Sequence, residues 1–483
     1  MKFGLSDSII NSIILVLESN SKVDKAFIFG SRAKGNYRDA SDIDIAIKGN
    51  DLNFDDVLQL GVKLDDLNLP YKIDLLNYNT IKEPDLKDHI NRVGIELYSR
   101  WKEIKLGDVV EINQKTIDKN YKHSIIEYLD TGSITQNKIE RFQKFNLVDA
   151  PSRAKRLVNK NDIIYSTVRP IQRHYGFIED ASANMVVSTG FAVISTIKEK
   201  ANAKYLFYLL SSDDIVNYLD SIADGSTSAY PSLRPDDLAV LDILLPPLTE
   251  QTVIASILSS LDDKIGLLHR QNKTLEQLAE TLFRQWFVEE AEESWEEKSL
   301  TDIADYLNGL ALQKFPAKID YLPVIKIREM KQGISENTDR CSRDIPTQYI
   351  IKDGDVLFSW IGSLEVVLWT GGEGALNQHL FKVSSKEYPK WFYYLATKHH
   401  LAEFKVIAES KSTTMGHIQR EHLKQAMISI PSKELFEQYD ERIAPMIDKL
   451  IDNHKQIRTL TQTRDTLLPK LMSGEVRVKM SEL

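Results

Sequence analysis

Ten positions between residues 254 and 286 are spaced alternately four and three apart, and the same ten recur further along the chain. The first series is Ile254, Leu258, Leu261, Ile265, Leu268, Asn272, Leu275, Ala279, Leu282 and Trp286. The second is Tyr439, Ile443, Met446, Leu450, Asn453, Ile457, Leu460, Arg464, Leu467 and Leu471. Every member follows its counterpart by one offset (439 − 254 and 471 − 286 both give 185). Spacings of four and three run one stripe along a helix, as in a coiled-coil seam. Each series spans about 32 residues, or roughly 48 Å of helix. Either helix alone would expose a long apolar stripe, and pairing covers both. Two unrelated helices have no reason to keep one offset over ten positions, so the sequence predicts a duplication built around two paired helices.

The polar seam members set the direction of pairing. Asn272 is sixth in its series and Asn453 is fifth in the other. In an antiparallel pair these two meet. A parallel pair would set Asn272 against Ile457 and Asn453 against Leu268, and an unmatched buried amide costs about 1–3 kcal/mol. The expectation is an antiparallel coiled coil with an Asn272–Asn453 contact. Arg464 would then face Leu261 and reach solvent along its own stem.

The duplication extends beyond the helices. Trp101-Lys102-Glu103-Ile104-Lys105-Leu106 is echoed by Trp295-Glu296-Glu297-Lys298-Ser299-Leu300. Asn161-Asp162-Ile163-Ile164-Tyr165-Ser166 is echoed by Gly354-Asp355-Val356-Leu357-Phe358-Ser359, and Lys204-Tyr205-Leu206-Phe207-Tyr208-Leu209 by Lys390-Trp391-Phe392-Tyr393-Tyr394-Leu395. The expected organisation is a globular unit over 101–247, a central helix over 248–290, a second globular unit over 295–432, and a C-terminal helix over 433–475. Joined to opposite ends of an antiparallel rod, the two units would be related by a pseudo-twofold axis. Their separation of roughly 50 Å is about one and a half turns of DNA. That geometry suits two separated, non-identical half-sites on one duplex.

The first hundred residues read differently. Lys25-Ala26-Phe27-Ile28-Phe29 is a short buried strand that runs into Gly30-Ser31-Arg32-Ala33-Lys34-Gly35. Ser41-Asp42-Ile43-Asp44-Ile45-Ala46-Ile47 is a second strand, and Lys72-Ile73-Asp74-Leu75-Leu76 a third. Alternation places Asp42 and Asp44 on one face while Ile43 and Ile45 turn to the core. Adjacent carboxylates repel unless a cation sits between them, and Mg²⁺ favours oxygen ligands shared with substrate phosphates. Asp74 would take a proton from an attacking hydroxyl or complete a two-metal site. Gly30 and Ser31 would offer backbone N–H groups and a hydroxyl to the phosphates of an NTP. Alone, a Gly-Ser turn is ordinarily only a turn, and an Asp-x-Asp edge is ordinarily a solvated face; the ordered set is what carries the reading.

That set resembles the minimal nucleotidyltransferases of the polymerase-beta superfold, over about residues 1–98. The resemblance includes the ending Arg92-Val93-Gly94-Ile95-Glu96-Leu97-Tyr98. It implies a small α/β domain using Mg²⁺ and an NTP, with Asp42, Asp44 and Asp74 as catalytic and metal-holding acids and Gly30, Ser31 and Arg32 at the nucleotide. Arg100-Trp101 follow with no Gly/Pro-rich linker, so this domain is expected to pack against the first repeat.

About residues 100–478 resemble the specificity subunit of type I restriction-modification enzymes. The residues that carry this are Asp224-Gly225-Ser226-Thr227-Ser228, Pro246-Pro247-Leu248-Thr249-Glu250-Gln251, and Leu467-Leu468-Pro469-Lys470-Leu471-Met472-Ser473-Gly474-Glu475. The second repeat departs from the pattern, with Pro431-Ser432-Lys433-Glu434 and Lys411-Ser412-Thr413-Thr414 at the matching places. The resemblance implies two α/β target-recognition domains that read double-stranded DNA. It also implies a helical spacer docking methyltransferase and restriction subunits, and a body with no catalytic centre of its own. The alternative is a nucleotidyltransferase whose repeat region only selects a protein or RNA substrate.

Basic residues that could meet DNA are Arg141, Lys144, Arg153, Lys155 and Arg156 in the first unit, and Arg328, Lys411 and Arg420 in the second. Thr227 and Ser228, matched by Thr413 and Thr414, add hydroxyls for phosphate or base edges. The net charge of −9 argues against binding DNA by bulk electrostatics, so contacts must be local. One cysteine, Cys341, excludes an intrachain disulfide, and no apolar run spans a bilayer, which points to the cytoplasm. His174 and His417 stand alone and read as polar contacts rather than metal ligands.

Overall fold

The computed structural model describes residues 2–38, 40–49, 51–225, 231–410 and 416–478. Thr227, Ser228, Lys411, Thr413 and Thr414 lie outside the described residues. The chain divides into two compact units, one of residues 1–259 with 466–483 and one of residues 260–465. Among the described residues no helix is long and apolar enough to cross a membrane.

The first unit opens with a small α/β domain. Helix α1 (Asp7–Glu18) begins at Ser6, whose side chain accepts from the Ile9 amide. It buries Ile13 and Leu17. Strand β1 (Lys25–Phe29) runs into the short helix α2 (Gly30–Lys34). Then come β2 (Ile43–Lys48), α3 (Phe54–Asp65), β3 (Ile73–Asn77), α4 (Pro84–Val93) and β4 (Ile95–Ser99). The sheet order is β3-β2-β1-β4, with β2 and β3 parallel and the other pairs antiparallel. Ala26 and Ile28, with Ile43, Ile45 and Ile47, fill the buried face with α1 and α3. The alternation that buries them turns Asp44 the other way.

The first repeat unit follows within the same compact unit. One of its four-stranded sheets has the order Gln143–Asn146, Ile125–Leu129, Met185–Ser188, Ala154–Leu157. The other has Tyr175–Phe177, Ile163–Ser166, Phe191–Thr196, Val110–Ile112. Lys102–Lys105 pairs with Asp242–Leu245, just ahead of the central helix Leu248–Arg284.

The second compact unit repeats both four-stranded sheets in the same strand order. Arg340–Ser342, Tyr321–Ile325, Gly374–Leu376 and Ile350–Ile351 form one sheet, and Val366–Leu368, Val356–Ser359, Leu380–Ser384 and Asp305–Asn308 the other. In each repeat the second strand of the first sheet runs parallel to the third. Glu296–Ser299 pairs with Met427–Ile430, just ahead of the C-terminal helix Lys433–Ser473.

Within this second unit the two long helices pack together. Asn453 Nδ2 donates to Asn272 Oδ1 at 2.9 Å, and the rings of Trp286 and Tyr439 stack with centroids 4.2 Å apart. As one number rises the other falls, so the segments run in opposite directions. Arg464 differs from the expectation that it snorkels past Leu261. Its guanidinium meets Asp262 at 2.8 Å and Asp465 at 2.7 Å, because carboxylates stand one residue from each seam position. The Asn pair is only half satisfied: among the described residues Asn272 Nδ2 and Asn453 Oδ1 have no partner. Replacing Asn272 alone by Leu is expected to cost about 1–3 kcal/mol by stranding the partner amide, whereas N272L/N453L together is expected to be neutral or stabilising. Denaturant unfolding of the two variants checks this; equal losses in both would show that the amides stabilise the helix pair.

Candidate functional site

Residue pairing alone brings two acids together in the N-terminal domain. Asp44 on β2 lies beside Asp74 on β3 in parallel register, and opposite Phe29 on β1. Neighbouring strands stand about 4.8 Å apart, so the two carboxylates emerge side by side where β1 ends. Asp42 precedes the strand and is exposed, while Asp44 and Asp74 are half-buried. Burial pushes the Asp44 carboxyl above its usual range, and the negative charges of Asp74 and then Asp42 push it the same way. Lys72 and His89 oppose them.

Gly30 makes this placement feasible. Its φ is +70°, and a Cβ there would lie 2.2 Å from Asp44 Oδ2. Only a glycine accepts that backbone without strain and leaves room for the carboxylate. Ser31 follows in the first turn of α2.

Arg32 has a different job from the expected one. It is 2% exposed, and its guanidinium donates to the carbonyls of Ser41, Asp42 and Phe3. Tyr71 and Tyr37 rings flank it at 4.5 and 5.4 Å. The side chain ties down the turn that carries Asp42, so its donors are spent on backbone rather than held out for phosphate. The residue type pointed to phosphate; the three-sided burial was invisible in sequence.

The acids suit an oxygen-seeking divalent cation in kind, and such a cation would relieve the repulsion that Asp74 and Asp42 add to burial in raising the Asp44 carboxyl. Among the described residues, however, no three His, Cys, Asp or Glu side chains are gathered to hold a metal ion. Lys72 Nζ stands 2.6 Å from Asp74 Oδ1 and supplies the positive charge there.

The Pro-Pro-Leu-x-Glu-Gln run acquires structural roles. Gln251, 1% exposed, donates to the Pro246 carbonyl and accepts from the Asn202 amide, both at 2.8 Å. Glu250, 3% exposed, accepts from the Trp101 indole at 3.2 Å and pairs with Arg100 at 3.3 Å and Arg477 at 3.0 Å. Arg477 also reaches Asp24, at 3.4 Å, and lies over the Trp101 ring. The Arg100 amide donates to the Asp24 carbonyl at 2.8 Å, and its guanidinium to the Ser21 carbonyl. Gly474, at φ +74°, turns the chain past Trp101. One buried carboxylate thus ties the N-terminal domain, the start of the first repeat, the central helix and the end of the chain together. Sequence reading noted both motifs without finding this convergence.

The basic candidates are dispersed. Lys144 and the Lys155–Arg156 pair lie on the two outer strands of one sheet. Lys144 pairs with Glu127 at 3.5 Å. Arg141, Arg153 and Lys155 are exposed, and Arg156 is half-buried. In the second unit Arg328 is held by Glu329 and the Asn337 carbonyl. Arg420 donates to the Tyr306 carbonyl and lies over Phe381. Those two arginines are engaged in holding the fold.

Two family models match the chain. Residues 98–277 and 292–462 match the family model described as Type I restriction modification DNA specificity domain. Residues 11–103 match the one described as Polymerase beta, Nucleotidyltransferase. The chain is 26% identical over 459 residues to the type I restriction enzyme HindI specificity subunit of Haemophilus influenzae, covering 78% of this chain and 100% of that one. It is 27% identical over 354 residues to the MjaIX specificity subunit of Methanocaldococcus jannaschii, covering 67% and 79%. The solved S subunit of a type I system from M. genitalium shares the fold, with a TM-score of 0.50 at 15% identity over 77% of this chain and 96% of that one. The chain belongs to the type I restriction-modification DNA specificity family, and carries a nucleotidyltransferase-like domain at its N-terminal end.

Proposed function

We propose that the two repeat units are target-recognition domains reading the unequal halves of a bipartite DNA site. The paired helices form an antiparallel coiled-coil spacer with pseudo-twofold symmetry, and this spacer docks methyltransferase and restriction subunits. The observation that carries this reading is the strand-for-strand repetition of two sheets, each repeat leading into a long helix. A shared frame with different side chains is what two different half-sites require.

In the N-terminal domain a partner-protein hydroxyl would attack the α-phosphorus of an NTP, forming a phosphodiester bond as the α–β phosphoanhydride bond breaks and pyrophosphate leaves. Gly30 and Ser31 would receive the phosphates, Asp42 and Asp44 would hold Mg²⁺, and Arg32 positions Asp42 through its carbonyl. The cation, when bound, neutralises phosphate charge. Asp74, in register with Asp44 and paired with Lys72, would accept the proton of an attacking hydroxyl once Lys72 releases it.

Co-expression with candidate methyltransferase subunits, followed by sequencing of methylated bases, tests the main reading. A gapped two-part motif that depends on this chain is expected. Binding to no methyltransferase and imposing no motif would favour a nucleotidyltransferase whose repeat body selects a protein or RNA.

A further inference from the structure

Nine described non-glycine residues have positive φ, and four of them meet in one patch of the first repeat unit: Gln136, Asn137, Arg169 and Arg173. Left-handed backbone in a bulky residue costs free energy and persists only where the surroundings enforce it. Here the enforcement is visible. Gln136 and Asn137 form the turn between Ile134–Thr135 and Lys138–Ile139. The Gln136 amide donates to the Arg173 carbonyl at 2.8 Å, and the Asn137 amide to the Tyr175 carbonyl at 2.9 Å. His174 Nδ1 donates to the Ile134 carbonyl at 2.6 Å. On the other side, the Arg169 amide donates to the Pro231 carbonyl and the Leu233 amide to the Thr167 carbonyl. The Ile171 amide donates to Asp220 Oδ1 at 3.0 Å.

What this framework presents is unspent. Arg169, Gln172, Gln136 and Lys138 are exposed, and their side chains make no hydrogen bond or ion pair with another described residue. Arginine and the carboxamides are the side chains whose forks match the major-groove edges of guanine and adenine.

The second repeat supplies the contrast. Its equivalent loop follows Val356–Ser359 and is clipped to the chain in the same way. Ile361 bridges His417 where Val168 bridges Ser232, and the Gly362 amide donates to the Gly416 carbonyl. The loop itself reads Trp360-Ile361-Gly362-Ser363-Leu364, with Leu364 buried and no arginine or glutamine. The clip is common to both units and the tip chemistry is not, as expected where each unit reads a different sequence.

We infer that Arg169 and Gln172, supported by Gln136 on the adjoining hairpin, are base-reading side chains of the first recognition unit. This rests on the DNA-reading function proposed above. The test uses the full chain co-expressed with its methyltransferase subunits, with methylated bases read by sequencing. Arg169→Gly removes the side chain and the strain together, so the variant is expected to fold at least as well as the parent. Gln172→Ala is its companion. Each is expected to relax base preference by roughly ten- to hundredfold at a position in one half of the motif, leaving the other half intact. Arg169→Lys is expected to relax the same position, because a point charge lacks the fork. An unchanged motif in both the Gly and Ala variants overturns the inference. So does loss of methylation through loss of subunit binding, which would assign the patch to a protein partner. If the parent chain imposes no motif at all, the DNA-reading function itself fails, a result distinct from either.

Discussion

Glu250→Ala is expected to destabilise the compact unit that contains the N-terminal domain by about 3–5 kcal/mol. The carboxylate is the common partner of the Trp101 indole, Arg100 and Arg477. Its side chain is 4% exposed, and those of Arg100 and Arg477 are 12% and 19% exposed. Removing it leaves the Arg100 guanidinium largely out of water without its paired carboxylate and leaves Arg477 with Asp24 alone, and that desolvation is the main cost. Arg477→Ala should cost less, because Glu250 keeps Arg100 and Trp101. It removes a side chain that pairs with both Asp24 and Glu250, so it should loosen the N-terminal domain more than it lowers the unfolding midpoint. Thermal unfolding of the full chain, with protease release of residues 1–99 as a second readout, separates the two effects. A Glu250→Ala protein with the parent's midpoint and cleavage pattern would show that the cluster contributes nothing to holding this domain.

That convergence also marks where sequence reading stops. Periodicity is a local property with a long reach: ten seam positions at one offset predict two helices, and one asparagine in each predicts their direction. Strand alternation turns Asp44 away from the core, whereas Asp42, expected beside it on the same strand, precedes β2. Charge pairing is not periodic. Nothing in the spacing of Asp24, Arg100, Glu250 and Arg477 says that chain segments more than two hundred residues apart meet. The basic residues show the same limit from the other side. Arg32, Arg328 and Arg420 suit a phosphate by type, yet each is spent on backbone carbonyls or a neighbouring acid. The tip at Arg169–Gln172 was missed because its signal is a backbone conformation. A Val-Arg-Pro-Ile-Gln-Arg string carries no glycine to announce left-handed φ.

Asp44→Asn is expected to reduce nucleotidyl transfer about a thousandfold or more, since a site built on charge stabilisation supplies several kcal/mol through its acids. The same substitution is expected to make the N-terminal domain more stable. The carboxylate is half-buried against Gly30, and burial together with Asp74 and Asp42 raises its folded-state pKa. A carboxyl whose folded pKa lies above its unfolded value binds its proton more tightly when folded. Its contribution to stability is therefore present at low pH and is lost as pH rises through the folded pKa. At neutral pH the ionised group works against the fold, and the neutral isostere removes that penalty. The parent should thus gain on Asp44→Asn at neutral acidity and on acidification more than the variant. Label transfer from an NTP to co-purified protein reads the activity, and unfolding midpoints against pH read the stability. Lower stability in the variant would mean that Asp44 is held by favourable contacts as an ordinary structural acid. Lost activity with gained stability would mark a carboxylate kept against the interest of the fold, which is the signature of a residue retained for chemistry.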